Sequence, residues 1–159
     1  MAIPGVGELA PDFTLPGTLL RRGERTDDAY SLRAQIGRSV VLAFYPGDAT
    51  PVCTAQMCSY ERELDEFLEL GAIVWGVSRQ GLDSHESFAR GASLSFPLLA
   101  DTAGEVVRAY GVQAPGVGVR RSVFVIGPDG VVRWHHVGLV GMRFPKASTI
   151  REHVEALVA

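Results

Sequence analysis

Two cysteines, Cys53 and Cys58, stand five residues apart in the segment YPGDATPVCTAQMC, and they are the only two in 159 residues. Their types and spacing suit thiol redox chemistry. A thiolate is the nucleophilic form of cysteine, and the N-terminus of a helix favours it through unpaired backbone N–H groups and the positive end of the helix dipole. Cys53 falls where an unbroken apolar run, SVVLAFYP, ends at Pro46 and a helical pattern begins after Thr50. Thr50 suits an N-cap and Pro51 a first-turn residue. Complete ionisation of an ordinary thiol at neutral pH gains at most roughly 30-fold in rate, about 2 kcal/mol. An efficient thiol reaction therefore also needs donors beside the sulfur for charge developing on the leaving group. Thr50 is placed to supply one, the N–H groups around Cys53 others, and a guanidinium from elsewhere the rest.

Cys58 lies at i+5. In an intact helix that offset separates the two Cα atoms by roughly 8–9 Å and points the side chains about 140° apart. Disulfides rarely span more than about 7 Å. If the two thiols bond, the first turns of the helix must unwind, so the oxidised form is expected to lose helix between about Thr50 and Tyr60. The plain alternative is that both are small buried residues, as free cysteine often is. Pro46, Gly47 and Asp48 at the strand-to-helix junction make a poor core and a good active-site rim, which favours the chemical reading.

The elements that position this pair follow from pattern. The first thirty residues, rich in Gly, Pro and charge, read as loops with one short edge strand. SLRAQIG reads as a short helix capped by Ser31. SVVLAFYP and AIVWGVS read as buried strands. A helix is expected from Pro51 to Leu70, with Met57, Tyr60, Leu64, Phe67 and Leu68 on one face. SHESFARG is expected to be a helix ending at its glycine, SFPLLAD a short strand and GEVVRAYG another helix. SVFVIGPDGVVRWHHV reads as a hairpin around Pro-Asp-Gly, and STIREHVEALV as a closing amphipathic helix. The expectation is one domain over residues 1–159: an α/β, thioredoxin-like fold with a central mixed β-sheet flanked by helices.

The whole chain narrows the classes. Apolar residues make up 47%, charged residues 21%, and the net charge is −3 with the arginines scattered; nucleic acid is not the expected partner. No window approaches the roughly 18 apolar residues of a membrane span. The N-terminal MAIPGVGELAPDF has no charged start or long apolar run, so a cytoplasmic location is expected. His135 and His136, adjacent on a strand, face opposite sides, and His85 and His153 lie on separate helices, so no metal is expected. PGVGV lacks the setting of a dinucleotide loop, Trp75 and Trp134 read as packing residues, and Asp48 reads either as a reductant contact or as a solvated turn residue.

The segment resembles the active-site signature of the peroxiredoxins, P-x-x-x-T-x-x-C, met by Pro46, Thr50 and Cys53. The C-x-x-x-x-C spacing to Cys58 is similar to that of the PrxQ, or bacterioferritin comigratory protein, subgroup. GELAPDFTLP, SHESFARGASLSFPLLAD, GEVVRAYGV and RRSVFVIGPDG extend the likeness through nearly the whole chain. The resemblance implies that Arg121, three residues before Phe124, hydrogen-bonds the thiolate and the peroxide, while Arg120 is the surface charge. It implies peroxide reduction through a Cys53 sulfenic acid, a Cys53–Cys58 disulfide and recycling by thioredoxin or a similar dithiol, without a cofactor. Because the resolving thiol lies in the same helix, a monomer is expected. Ala49, Gln56 and Glu61 depart from common family residues, Glu61 replacing a frequent arginine. No Gly-Gly-Leu-Gly insertion or Tyr-Phe tail is visible, so relative resistance to overoxidation is expected. The rival readings are a thioredoxin-type oxidoreductase, which normally presents Cys-x-x-Cys, and a redox sensor or holdase.

Overall fold

The computed structural model describes residues 2–115, 118–138 and 144–158. A seven-stranded mixed sheet runs through it. Its strands are β1 (Thr14–Arg21), β2 (Glu24–Ser31), β3 (Ser39–Phe44), β4 (Ala72–Ser78), β5 (Leu98–Ala100), β6 (Ser122–Ile126) and β7 (Val132–Val137), in the spatial order β2-β1-β5-β4-β3-β6-β7. β3, β4 and β5 pair in parallel, and the flanking pairs are antiparallel. The helices are α1 (Pro51–Arg62), α2 (Leu64–Glu69), α3 (Leu82–Ala92), α4 (Glu105–Ala109) and α5 (Ala147–Val158).

β3 shows how the layers form. It is buried along its whole length, and its side chains alternate between two cores, as strand geometry requires. Val41, Ala43 and the following Tyr45 join Met57, Tyr60, Phe67, Phe88, Ile150 and Val154, under α1, α2, α3 and α5. Val40, Leu42 and Phe44 join Phe13, Trp75, Val107, Tyr110 and Phe124, under α4 and the N-terminal segment. Cys53 belongs to the first core. The cysteine pair thus sits on a helix whose inner face is anchored to the centre of the sheet.

The N-terminal region differs from its sequence reading. Residues 14–31 form a full antiparallel hairpin in place of loops with one short strand. Its two-residue turn, Arg22-Gly23, has φ of +52° and +80°, both left-handed, the geometry that matches the twist of paired strands. β2 is mostly exposed and carries Glu24, Arg25, Asp27 and Asp28. Such a charged edge strand shows no apolar alternation because it has one neighbour and must deter a second. Arg25 pairs with Asp83 and Glu86 of α3, tying the hairpin to that helix.

Three helix boundaries also differ. The segment expected as one helix over 51–70 is two helices: Glu63 N–H bonds the Tyr60 carbonyl, three residues back, and breaks the repeat. Met57, Tyr60, Leu64 and Phe67 keep to the core, whereas Leu68 is 49% exposed. α3 runs past Gly91 and ends on Ser93, whose left-handed φ of +55° serves the role expected of the glycine. SLRAQIG holds only a 3₁₀ turn at Arg33–Gln35, and the Ser31 hydroxyl accepts from the Ala34 N–H as expected. The turn of the β6–β7 hairpin closes at Gly130, with φ +81°. The first glycine of PGVGV, with the valine after it, lies outside the described residues. No helix among the described residues is long and apolar enough to cross a membrane.

Candidate active site

Cys53 occupies the third position of α1 and is fully buried. The first intrahelical bond, from the Thr54 N–H to the Thr50 carbonyl, leaves the N–H groups of Val52 and Cys53 at the helix mouth without partners inside the helix. From across the sheet, Arg121 Nη1 lies 3.2 Å from Cys53 Sγ and donates to Gln56 Oε1 at 2.8 Å. Arg121 is 3% exposed. A fixed cation at that distance in a water-poor pocket stabilises negative charge on sulfur far better than a solvated one.

Gln56, one turn after Cys53, holds the guanidinium in place and is itself held. Its Nε2 donates to the Tyr60 hydroxyl at 2.9 Å, and that hydroxyl donates to the Pro145 carbonyl at 3.2 Å. Burial keeps the Tyr60 phenol above its ordinary pKa, so it stays a neutral donor. The Arg121 backbone is fixed separately, its carbonyl accepting from the Gly138 N–H at 2.9 Å. A Cβ at Gly138 would lie 2.8 Å from that same carbonyl oxygen, so only glycine permits the approach. Neither Gln56 as a brace nor Gly138 was legible as a supporting residue; both depend on contacts across the sheet.

Thr50 precedes the helix in extended conformation but does not cap it through its side chain. Its hydroxyl donates to the Gly47 carbonyl at 3.1 Å. The expected donor role is therefore corrected: with its proton committed to Gly47, Thr50 Oγ1 presents lone pairs and can accept. Pro46 follows β3, half buried, at the start of the same loop. Between them Ala49 adopts φ +61°, a left-handed conformation that costs a residue with a Cβ roughly 1–2 kcal/mol.

Asp48 is not a solvated turn residue. Its side chain is 4% exposed and meets the ring of His85, which is fully buried, at 2.7 Å. Burial opposes its ionisation, yet the hydrogen bond and charge of His85, with bonds from Tyr45 and Ser84, outweigh that and hold its pKa below the ordinary carboxyl value. Burial, followed by the Asp48 charge, pushes the Tyr45 phenol well up.

Cys58 points away from Cys53. Its thiol lies 3.8 Å from the Ala92 carbonyl at the end of α3, and both cysteines are free. Three residues on, the Glu61 carboxylate accepts from the Ser95 N–H at 2.7 Å and from the Ser95 hydroxyl at 2.5 Å. Arg151 of α5 grips Glu63 at the helix break and Glu66 just beyond it. The end of α1 is thus pinned to two neighbours, while its first turns depend on the site itself. The histidines expected to diverge do so: His135 packs on Phe124 and His136 pairs with Val123 on the other face. Trp75 is buried, and Trp134 stacks on His153 at 4.6 Å.

The pattern of the AhpC/TSA family matches residues 6–135. The chain is 32% identical to the peroxiredoxin Bcp of Xanthomonas campestris over 157 residues, covering 92% of this chain and 94% of that one. It is 36% identical to a chloroplastic peroxiredoxin Q of Oryza sativa over 130 residues, 80% of this chain, and the match spans 57% of the length of that relative. A solved structure of Xanthomonas campestris peroxiredoxin Q superposes with a TM-score of 0.76 at 30% identity, covering 91% of this chain and 92% of that one. The chain belongs to the AhpC/TSA family, on its peroxiredoxin Q/Bcp branch, and has the thioredoxin-like fold.

Proposed function

We propose that the protein is a thiol-dependent peroxidase reducing hydrogen peroxide and organic hydroperoxides, with Cys53 as nucleophile and Cys58 as resolving thiol. The observation that carries the reading is the buried Arg121 guanidinium 3.2 Å from the Cys53 sulfur at the mouth of α1. The Cys53 thiolate attacks one peroxide oxygen and the O–O bond breaks. The electron pair leaves with the second oxygen, which takes a proton and departs as water or alcohol, and Cys53 becomes a sulfenic acid. Arg121 and the N–H groups of the helix mouth stabilise the charge that moves from sulfur to the departing oxygen. Thr50 Oγ1 accepts a hydrogen bond from the peroxide O–H, and Pro46 shields the rim.

Cys58 then attacks the sulfenic sulfur, releasing water and forming a disulfide. The helical offset exceeds the reach of that bond, so the first turns of α1 open; Glu61 on Ser95 marks where opening stops. A dithiol protein of the thioredoxin type reduces the disulfide and α1 rewinds. Both thiols belong to one chain, which supports a working monomer. The need for a dithiol reductant supports a cytoplasmic setting. The test is peroxide-dependent NADPH oxidation with thioredoxin and thioredoxin reductase. Steady consumption that vanishes in Cys53→Ser is expected; consumption no greater than in that variant overturns the reading.

A further inference from the structure

The loop that delivers Thr50 and Cys53 contains a residue in a conformation it would not keep alone, Ala49 at φ +61°. Such strain persists where the surroundings over-determine it. The neighbour that does so is Asp48, which is held at four points. Its Oδ1 accepts from the Tyr45 hydroxyl at 2.6 Å, and its Oδ2 accepts from the Ser84 hydroxyl at 2.7 Å and faces His85 Nδ1 at 2.7 Å. Its own N–H donates to Gln80 Oε1 at 3.1 Å, an oxygen that also accepts from the Ser78 hydroxyl. His85 is fully buried, and its Nε2 meets the Leu99 carbonyl at 2.9 Å. A carbonyl only accepts, so Nε2 carries a proton. The loop is thereby locked to β4, β5 and α3 by a buried, charge-assisted bond.

The geometry points to Asp48 and His85 as positioning residues for the peroxidase reaction. They touch no reacting atom. They hold Ala49 left-handed, which sets the direction of Thr50 and the entry angle of α1, and so the place of the peroxide relative to Cys53 and Arg121. This rests on the function proposed above, and the experiment separates the two.

Rates of Cys53 oxidation by hydrogen peroxide and of alkylation by iodoacetamide are measured for the wild type, Asp48→Asn, His85→Gln and Asp48→Asn/Ala49→Gly. Asparagine keeps the volume but turns a donor towards His85. Asp48→Asn is expected to slow peroxide oxidation by roughly 10- to 100-fold, the scale of a small misplacement, with alkylation changed less than about threefold because the thiol itself is intact. Ala49→Gly in that background is expected to restore at least about fivefold of the loss, because glycine adopts the left-handed conformation without strain. His85→Gln shifts the peroxide rate in the same direction and serves if Asp48→Asn does not fold. Peroxide rates within threefold of wild type, losses shared equally by alkylation, or a double variant no faster than the single one would overturn the positioning role. A wild type that meets peroxide no faster than free cysteine overturns the functional reading instead.

Discussion

Replacing Arg121 with methionine lowers the rate at which hydrogen peroxide oxidises Cys53 by about 100- to 1,000-fold, the loss typical of removing one preorganised donor from an anionic transition state. That is about 2.7–4 kcal/mol of transition-state stabilisation. The figure is large because Arg121 is 3% exposed and its guanidinium sits 3.2 Å from the sulfur, so water screens it little. It is not larger because the N–H groups at the mouth of α1 remain. Methionine keeps much of the side-chain volume, so the core around Cys53 is not emptied. Stopped-flow tryptophan fluorescence reads the rate, with Trp134 packed against the core that holds Cys53. A rate within threefold of wild type would remove Arg121 from the reaction.

Cys58→Ser separates the two halves of the cycle. Its first oxidation proceeds within about threefold of the wild-type rate, since the Cys58 thiol points to Ala92 and takes no part in attack. Turnover with thioredoxin falls by about 100-fold or more, because the Cys53 sulfenic acid has no partner and climbs to sulfinic acid as peroxide rises. Far-UV circular dichroism supplies a second signature. Wild type loses helix between Thr50 and Tyr60 on oxidation, and Cys58→Ser keeps it. The loss stops near Glu61, where Ser95 and Arg151 pin the chain through Glu61, Glu63 and Glu66. Unchanged turnover in Cys58→Ser, or wild-type oxidation without helix loss, contradicts the intramolecular route.

Which parts were legible in the sequence has physical reasons. β3 and β4 are central strands, covered on both faces, so their apolar runs announce them. β2 is an edge strand whose charges hide its periodicity, and its turn is marked only by Gly23 after an arginine that itself turns left-handed. Cys53 was legible because strand end, N-cap position and proline define a helix mouth. Arg121 was reached through the family motif; nothing in composition separates a buried arginine from its half-buried neighbour Arg120. The direction of the Thr50 hydroxyl was misread, because the Gly47 carbonyl competes for its proton and that contact is set by the turn between them. Asp48 and His85, 37 residues apart, looked like unrelated polar residues until α3 and the end of β3 brought them together. Ala49 gave no warning of its left-handed backbone.

The central claim is that Cys53 attacks the peroxide and that Cys58 resolves the product. Its most direct test is millisecond quench-flow mass analysis of the reduced protein mixed with one equivalent of hydrogen peroxide. The account predicts a transient Cys53 sulfenic acid followed by a Cys53–Cys58 disulfide, with the first step orders of magnitude faster than oxidation of free cysteine. Oxidation of Cys53 no faster than free cysteine, or a product in which Cys53 and Cys58 are not joined, would contradict it.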